Sequence, residues 1–202
     1  LTELQQELKS SLSRFCLERL EPTAREDDQE HRFRMELFNQ LGELGFCGMT
    51  AKEEHGGMEL TTEDLTVALN EIAKYSVSYA VTISVSSMVQ GVIEKFGNQE
   101  QKKRYLPAMA QGEEIGAFAL TESGAGSDAA SLTTRAVKNE NGYLLNGNKI
   151  FITSGGIAKT YIVMARTGGE GARGISAFIV RDGTKGFSYG KAEEKMGWKV
   201  SP

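Results

Sequence analysis

The sequence predicts an α+β chain of two domains: an all-α N-terminal helical domain over residues 1–112, then an antiparallel, β-barrel-like domain over residues 113–202. The prediction rests on a change of period. Up to Ala110 apolar residues recur at helical spacing, whereas beyond Gly112 they alternate in short β-branched runs. The turns change with the period, because the second part is punctuated by Asn141-Gly142, Asn146-Gly147 and Gly168-Gly169, which is hairpin chemistry. At 202 residues the chain is long enough for a sizeable core.

Leu1, Leu4, Leu8, Leu12 and Phe15 form the stripe of a first helix, expected to end before Pro22 because helical backbone is disfavoured in the residue preceding proline. Residues 23–32 are mostly charged and read as a linker. Phe33, Leu37, Phe38, Leu41 and Leu44 mark a second helix, with Gly45 as its stop. Glu53-Glu54-His55-Gly56-Gly57 is a turn, after which Thr61 or Thr62 caps a third helix with Leu65, Ala68, Leu69, Ile72 and Ala73 inward. A fourth helix covers about Ser78 to Phe96. Its first half, Val81 to Ser87, suits a strand by propensity, but the length of the run decides for helix. Asn98 and Gln101 make a capping box for a fifth helix, Gln99 to about Ala110, with a break expected at Pro107. Strands are expected at Gly116–Thr121, Leu132–Val137, Tyr143–Leu145, Lys149–Thr153, Thr160–Arg166 and Gly174–Arg181.

The chain is 40% hydrophobic and 25% charged with net charge −4, an ordinary globular balance. The absence of a Lys/Arg stripe argues against nucleic acid, and Lys102-Lys103-Arg104 reads as a solvated helix face. Cys16 and Cys47 lack metal-like spacing and sit in apolar segments, which suits a reducing compartment. His31 and His55 are isolated, so neither a metal site nor a triad is expected. No apolar run is long enough to span a bilayer, and no signal peptide is evident.

The candidate site is Gly116 to Gly156. An apolar strand leads Thr121 and Glu122 into the glycine-rich turn Ser123-Gly124-Ala125-Gly126-Ser127-Asp128; a second leads Phe151 and Thr153 into Gly155-Gly156. Glycines let a ligand approach the backbone, and successive N–H groups in such a turn attract anions. Gly124-x-Gly126-x-x-Ala129 matches the dinucleotide fingerprint, but a strand-like run follows where that fingerprint needs a helix, so a Rossmann unit is rejected. No P-loop is present. Taken alone, Gly124 and Gly126 could simply build a turn, Asp128 could cap it, Glu122 could be a surface charge and Phe151 could be core.

Thr121 to Asp128 resembles the flavin-binding signature of the acyl-CoA dehydrogenase family, and Phe151-Ile152-Thr153 resembles its second flavin contact. The resemblance covers the whole chain. Residues 1–112 resemble the helical N-terminal domain, including Glu53 to Gly57 and Phe96 to Lys102, and residues 113–202 resemble the middle β-domain, incompletely represented. It implies an FAD enzyme oxidising an acyl-CoA thioester to the trans-2-enoyl-CoA in fatty acid β-oxidation. Phe118, Ala119, Leu120 and Thr121 would run along the flavin, with Thr121 bonding the isoalloxazine. Gly126 and Ser127 would hold the pyrophosphate, and Ser127 would also reach the substrate. Phe151 would pack on the ring, with Ile152 and Thr153 beside it, and Arg173 would brush the CoA nucleotide. The small residues of the fourth helix would leave room for the acyl chain.

Two departures stand out: Phe151 where the family has Trp, losing the indole N–H, and Ser123 where Pro is usual. The family's base is a Glu in a C-terminal four-helix domain missing from this chain, so no catalytic residue is assigned and the chain alone is expected to be inactive. The resemblance further implies an electron-transferring flavoprotein as acceptor, a homotetramer, and a bacterial cytoplasmic or mitochondrial-matrix location. An acyl-CoA oxidase, a nitroalkane-oxidase-like enzyme and a non-catalytic binding module are the alternatives on this scaffold.

Overall fold

The computed structural model describes residues 1–201. Helix α1 (Glu3–Phe15) starts at Thr2, whose hydroxyl accepts the Gln5 N–H while the Gln5 side chain accepts the Thr2 N–H. The helix does not stop before Pro22. It passes through a π-helical turn, Cys16–Leu20, into α2 (Glu21–Glu30). The wide turn, closed by the Glu21 N–H on the Cys16 carbonyl, admits the proline into the first turn of α2, where its missing N–H costs little. The expected linker at 23–32 is therefore mostly helix, ending at His31 with φ of 54°. Its charges have partners. Asp27 is buried and accepts Arg34 Nε at 2.7 Å, and Asp28 accepts the Lys199 N–H at 2.9 Å.

Helices α3 (Met35–Glu43), α4 (Thr62–Ala73), α5 (Val77–Phe96) and α6 (Gln99–Ala110) follow close to expectation. Capping boxes start α4 at Thr61, with Asp64, and α6 at Asn98, with Gln101. Pro107 lies inside α6 without breaking it. Near a helix end it removes little of the ladder, and buried Leu106 and Met109 hold the last turn in place. The small residues of α5 have a packing role. Ser86 Oγ accepts the Gly116 N–H at 3.2 Å, and a Cβ on Gly116 would meet Val89 at 2.8 Å. Only small groups allow the helix to cross the sheet this closely.

The sheet has strands β1 (Gly116–Ala119), β2 (Arg135–Asn139), β3 (Gly142–Asn146), β4 (Thr160–Arg166) and β5 (Ile175–Arg181). It is five-stranded and mixed, not wholly antiparallel: β1 runs parallel to β4, while β2–β3 and β4–β5 are antiparallel pairs. β1 takes the first half of one edge of β4 and β2 touches its end, pairing Arg135 with Arg166. The glycine-rich turn therefore leaves the sheet where β4 changes neighbours. Residues 149–153 are not a strand, and β2 begins only at Arg135, after a 3-10 turn at Ala129–Ser131. Leu12, Phe38, Leu41, Ile83, Ala117 and Tyr161 share one core, so helices and sheet pack together. Among the described residues no helix is long and apolar enough to cross a membrane.

Candidate functional site

The glycine-rich turn is held by a buried carboxylate. Beyond β1, Glu122 and Ala125 exchange backbone hydrogen bonds of 3.0 and 3.1 Å around Ser123-Gly124. This folds the Glu122 side chain inward, where it is only 6% exposed. One oxygen accepts the Thr133 N–H (2.6 Å) and hydroxyl (2.7 Å); the other accepts the Thr134 N–H (2.9 Å) and Lys149 Nζ (2.8 Å). Burial pushes this carboxyl up, but the Lys149 ammonium and the Thr133 and Thr134 donors outweigh it and hold it well below the usual carboxylate range. Glu122 is thus not the surface charge the sequence suggested.

Lys149 joins the two candidate motifs. Its ammonium also donates to the Leu120 carbonyl at 2.8 Å, and the next residue, Ile150, donates its N–H to the Thr121 carbonyl at 2.9 Å. The segment then turns sharply. Phe151 and Ser154 take φ of 56° and 66°, a left-handed backbone that a strand cannot continue. This is why no strand forms at 149–153. The turn aims the Phe151 ring outward, 72% exposed, while Ile152 packs on the core and Thr153 is half-buried. Ser154 Oγ is buried without a partner among the described residues.

Phe118 and Ala119 lie on β1 beside Ile162 and Val163 of β4. Leu120 and Thr121 are half-buried at the strand exit, directly before the clasp; Gly126 and Ser127 are exposed on the turn. Asp128 ends the turn as expected: its carbonyl accepts the Ser131 N–H and its carboxylate the Ser131 hydroxyl. Arg173 is exposed in the 3-10 turn Ala172–Gly174, beyond the end of β4. The structure thus brings Thr121 and the Phe151 segment together and sets Arg173 on a separate turn.

Sequence reasoning read Glu122 as no more than a surface charge and passed over Lys149 and Arg166. Arg166 closes β4, is 9% exposed and donates to the carbonyls of Ala130 and Leu132, beyond the glycine-rich turn, and of Gly169 and Gly171. A faint signal existed, since Arg166 interrupts no apolar run but ends one, and Lys149 precedes one. Charges at strand ends are usually solvated, so the signal pointed the wrong way.

The glycines test whether a flavin fits. Gly124 and Gly126 do not take a positive φ, and a Cβ on either would meet nothing within 4 Å. Neither backbone conformation nor packing demands glycine there. What a side chain would fill is the open space beside the turn, whose residues Gly124, Gly126 and Ser127 are exposed, as a cradle for a phosphate requires. The chemistry of the donors fits FAD. Elsewhere among the described residues, Glu54, His55 and Glu94 bring ligand atoms within 4.8 Å of one another. Lys52 and Lys102 already hold Glu94 at 3.0 and 3.2 Å, which leaves a cation poorly placed there.

Residues 2–113 match the family model of the acyl-CoA dehydrogenase N-terminal domain, and residues 117–202 match that of the middle domain. The chain belongs to the acyl-CoA dehydrogenase family. It is 41% identical to mitochondrial isobutyryl-CoA dehydrogenase of Dictyostelium discoideum, over 100% of this chain and 49% of that protein. Butyryl-CoA dehydrogenase from Megasphaera elsdenii shares 42% identity and superimposes with a TM-score of 0.94, covering 100% of this chain and 54% of that one. The acyl-CoA dehydrogenase of Bacillus anthracis, solved in complex with FAD, superimposes with a TM-score of 0.87 at 32% identity, over 100% of this chain and 34% of that one. The chain spans about half the length of the curated relatives it matches.

Proposed function

We propose that this chain builds the flavin and thioester part of an FAD-dependent acyl-CoA dehydrogenase acting on a short acyl chain. The observation that carries the proposal is the open glycine cradle at Gly124 and Gly126, fastened through Glu122, Lys149 and Ile150 to the segment that holds out Phe151. The isobutyryl- and butyryl-CoA dehydrogenases among the relatives support the short chain.

FAD, when bound, would supply the acceptor for the hydride that leaves the substrate. The chain's own residues bind and orient. Gly126 and Ser127 offer N–H groups and a hydroxyl to the pyrophosphate, and Ser127 also faces the substrate. Phe118 to Thr121 line the isoalloxazine, with the Thr121 hydroxyl as donor. Phe151 supplies the aromatic face, Ile152 and Thr153 flank it, and Arg173 reaches the CoA nucleotide as a cation. Glu122 is unfit as the base for the α-proton. Every donor around it stabilises the carboxylate, and a carboxylate held that acidic is a weak acceptor of protons. We assign no base within this chain and expect the chain alone to be inactive. Residues 1–112 and 113–202 serve as two domains, and an electron-transferring flavoprotein and a homotetramer complete the reading.

An anaerobic absorbance titration tests it. The purified protein should show a flavin band, and in the protein complete with its base the band should bleach with butyryl- or isobutyryl-CoA before octanoyl-CoA. A protein that takes up no FAD in any form would leave only the binding-module alternative.

A further inference from the structure

We infer that Arg166 is a positioning residue that couples the pyrophosphate turn to the turn carrying Arg173, so that cofactor and CoA nucleotide meet one prebuilt unit; the inference rests on the flavin reading above. Three observations carry it. First, its guanidinium bridges both turns. Nη2 donates to the Ala130 carbonyl at 2.6 Å and the Leu132 carbonyl at 3.1 Å, Nε adds a bond to Leu132 at 3.2 Å, and Nη1 donates to Gly169 at 2.6 Å and Gly171 at 3.1 Å. The planar fork makes this reach possible; a lysine ammonium on its single stem cannot satisfy both sides.

Second, the residue is anchored independently of its side chain. It is the last residue of β4, in register with Ile175 of β5, and its backbone N–H donates to the Thr134 carbonyl at 2.7 Å. The bridge is therefore referred to the rigid sheet, not to another loop. Third, the charge is unpaired. Among the described residues its partners are backbone carbonyls, and it takes part in no salt bridge. Carbonyls satisfy the donors but leave a buried positive charge, which costs free energy unless an anion lies close. Ala130 and Leu132 lie in and just after the 3-10 turn Ala129–Ser131, which Asp128 joins to the Gly126-Ser127 segment that would receive the pyrophosphate. Tied to the residues that continue from that segment, a fixed cation favours an anion bound there without having to reorganise.

The test compares the protein with R166K and R166M, reading FAD affinity from flavin fluorescence and hydrogen exchange at amides of residues 124–134 and 168–174. Both variants should speed exchange in both turns together, with the β4–β5 amides unchanged. R166M should weaken FAD about tenfold, close to the worth of a single charge-assisted hydrogen bond, and R166K should fall between. Loosening of one turn only, or FAD affinity within about twofold of the parent in both variants, would overturn the inference. Loss of the fold in both would overturn it too, since Arg166 would then be a core residue. Failure of the parent to bind FAD would strike the flavin reading instead. The exchange comparison needs no cofactor and would still decide the coupling.

Discussion

The helices and the loops at the sheet's end satisfy their polar groups in opposite ways. At the helix starts the solutions are local: Thr2 with Gln5, Thr61 with Asp64 and Asn98 with Gln101 each close a helix start within a few residues. At the candidate site they are distant. Glu122 is held by Thr133, Thr134 and Lys149, and Arg166 reaches back to Ala130 and Leu132. Local caps are worth about 1 kcal/mol each, and those at Thr2 and Asn98 sit in solvent. Buried charges tied across the fold put far more at stake, because removing one partner strands the other. The site loops are therefore set by a few charged residues, while the helices are set by many weak, redundant contacts.

The largest break in this contrast is Glu122→Ala. It leaves the Thr133 and Thr134 amides without their acceptor and the Lys149 charge with only the Leu120 carbonyl, and denaturant unfolding should show a loss of about 3–5 kcal/mol. A loss below about 1 kcal/mol would mean that the clasp does not hold the turns. The same carboxylate gives the site a pH dependence. Its folded pKa lies below the ordinary 4.5, so its contribution is complete above about pH 4.5 and is lost as pH falls through the folded value. Stability measured across that acid range should fall less steeply in Glu122→Gln; an identical slope would sink the assignment. On the helical side, Asn98→Ala should cost only about 1 kcal/mol, readable as a small shift in the same unfolding curve. A loss as large as that at Glu122 would erase the contrast.

The same distinction explains what was legible in the sequence. The helices, their caps and most strands follow from spacing over a few residues. Each glycine-rich turn is legible in the same way, but that the two belong together came from the family resemblance, because Gly126 and Phe151 stand far apart in the chain. The π turn that carries α1 through Pro22 was not legible, since it depends on buried Leu20 and Cys16 finding the core together. Nor was the loop at 149–153: its apolar alternation suits a strand, but the Lys149 clasp and the left-handed Phe151 override it. Parallel pairing of β1 with β4 also escaped, because hairpin-like turns say nothing about partners forty residues away. Glu122 and Arg166 were missed because the meaning of a charge depends on what folds over it.

The most direct measurement is an FAD titration of Gly126→Val run beside its thermal unfolding. Nothing in the fold occupies the space of that side chain, so the midpoint should stay within about 2 °C of the parent, as expected of a substitution away from packed features. FAD affinity should nevertheless fall tenfold or more, because the side chain would stand where the cofactor's phosphates approach. Unchanged FAD affinity with an unchanged midpoint would contradict the account, since Gly126 would then serve neither the fold nor the cofactor.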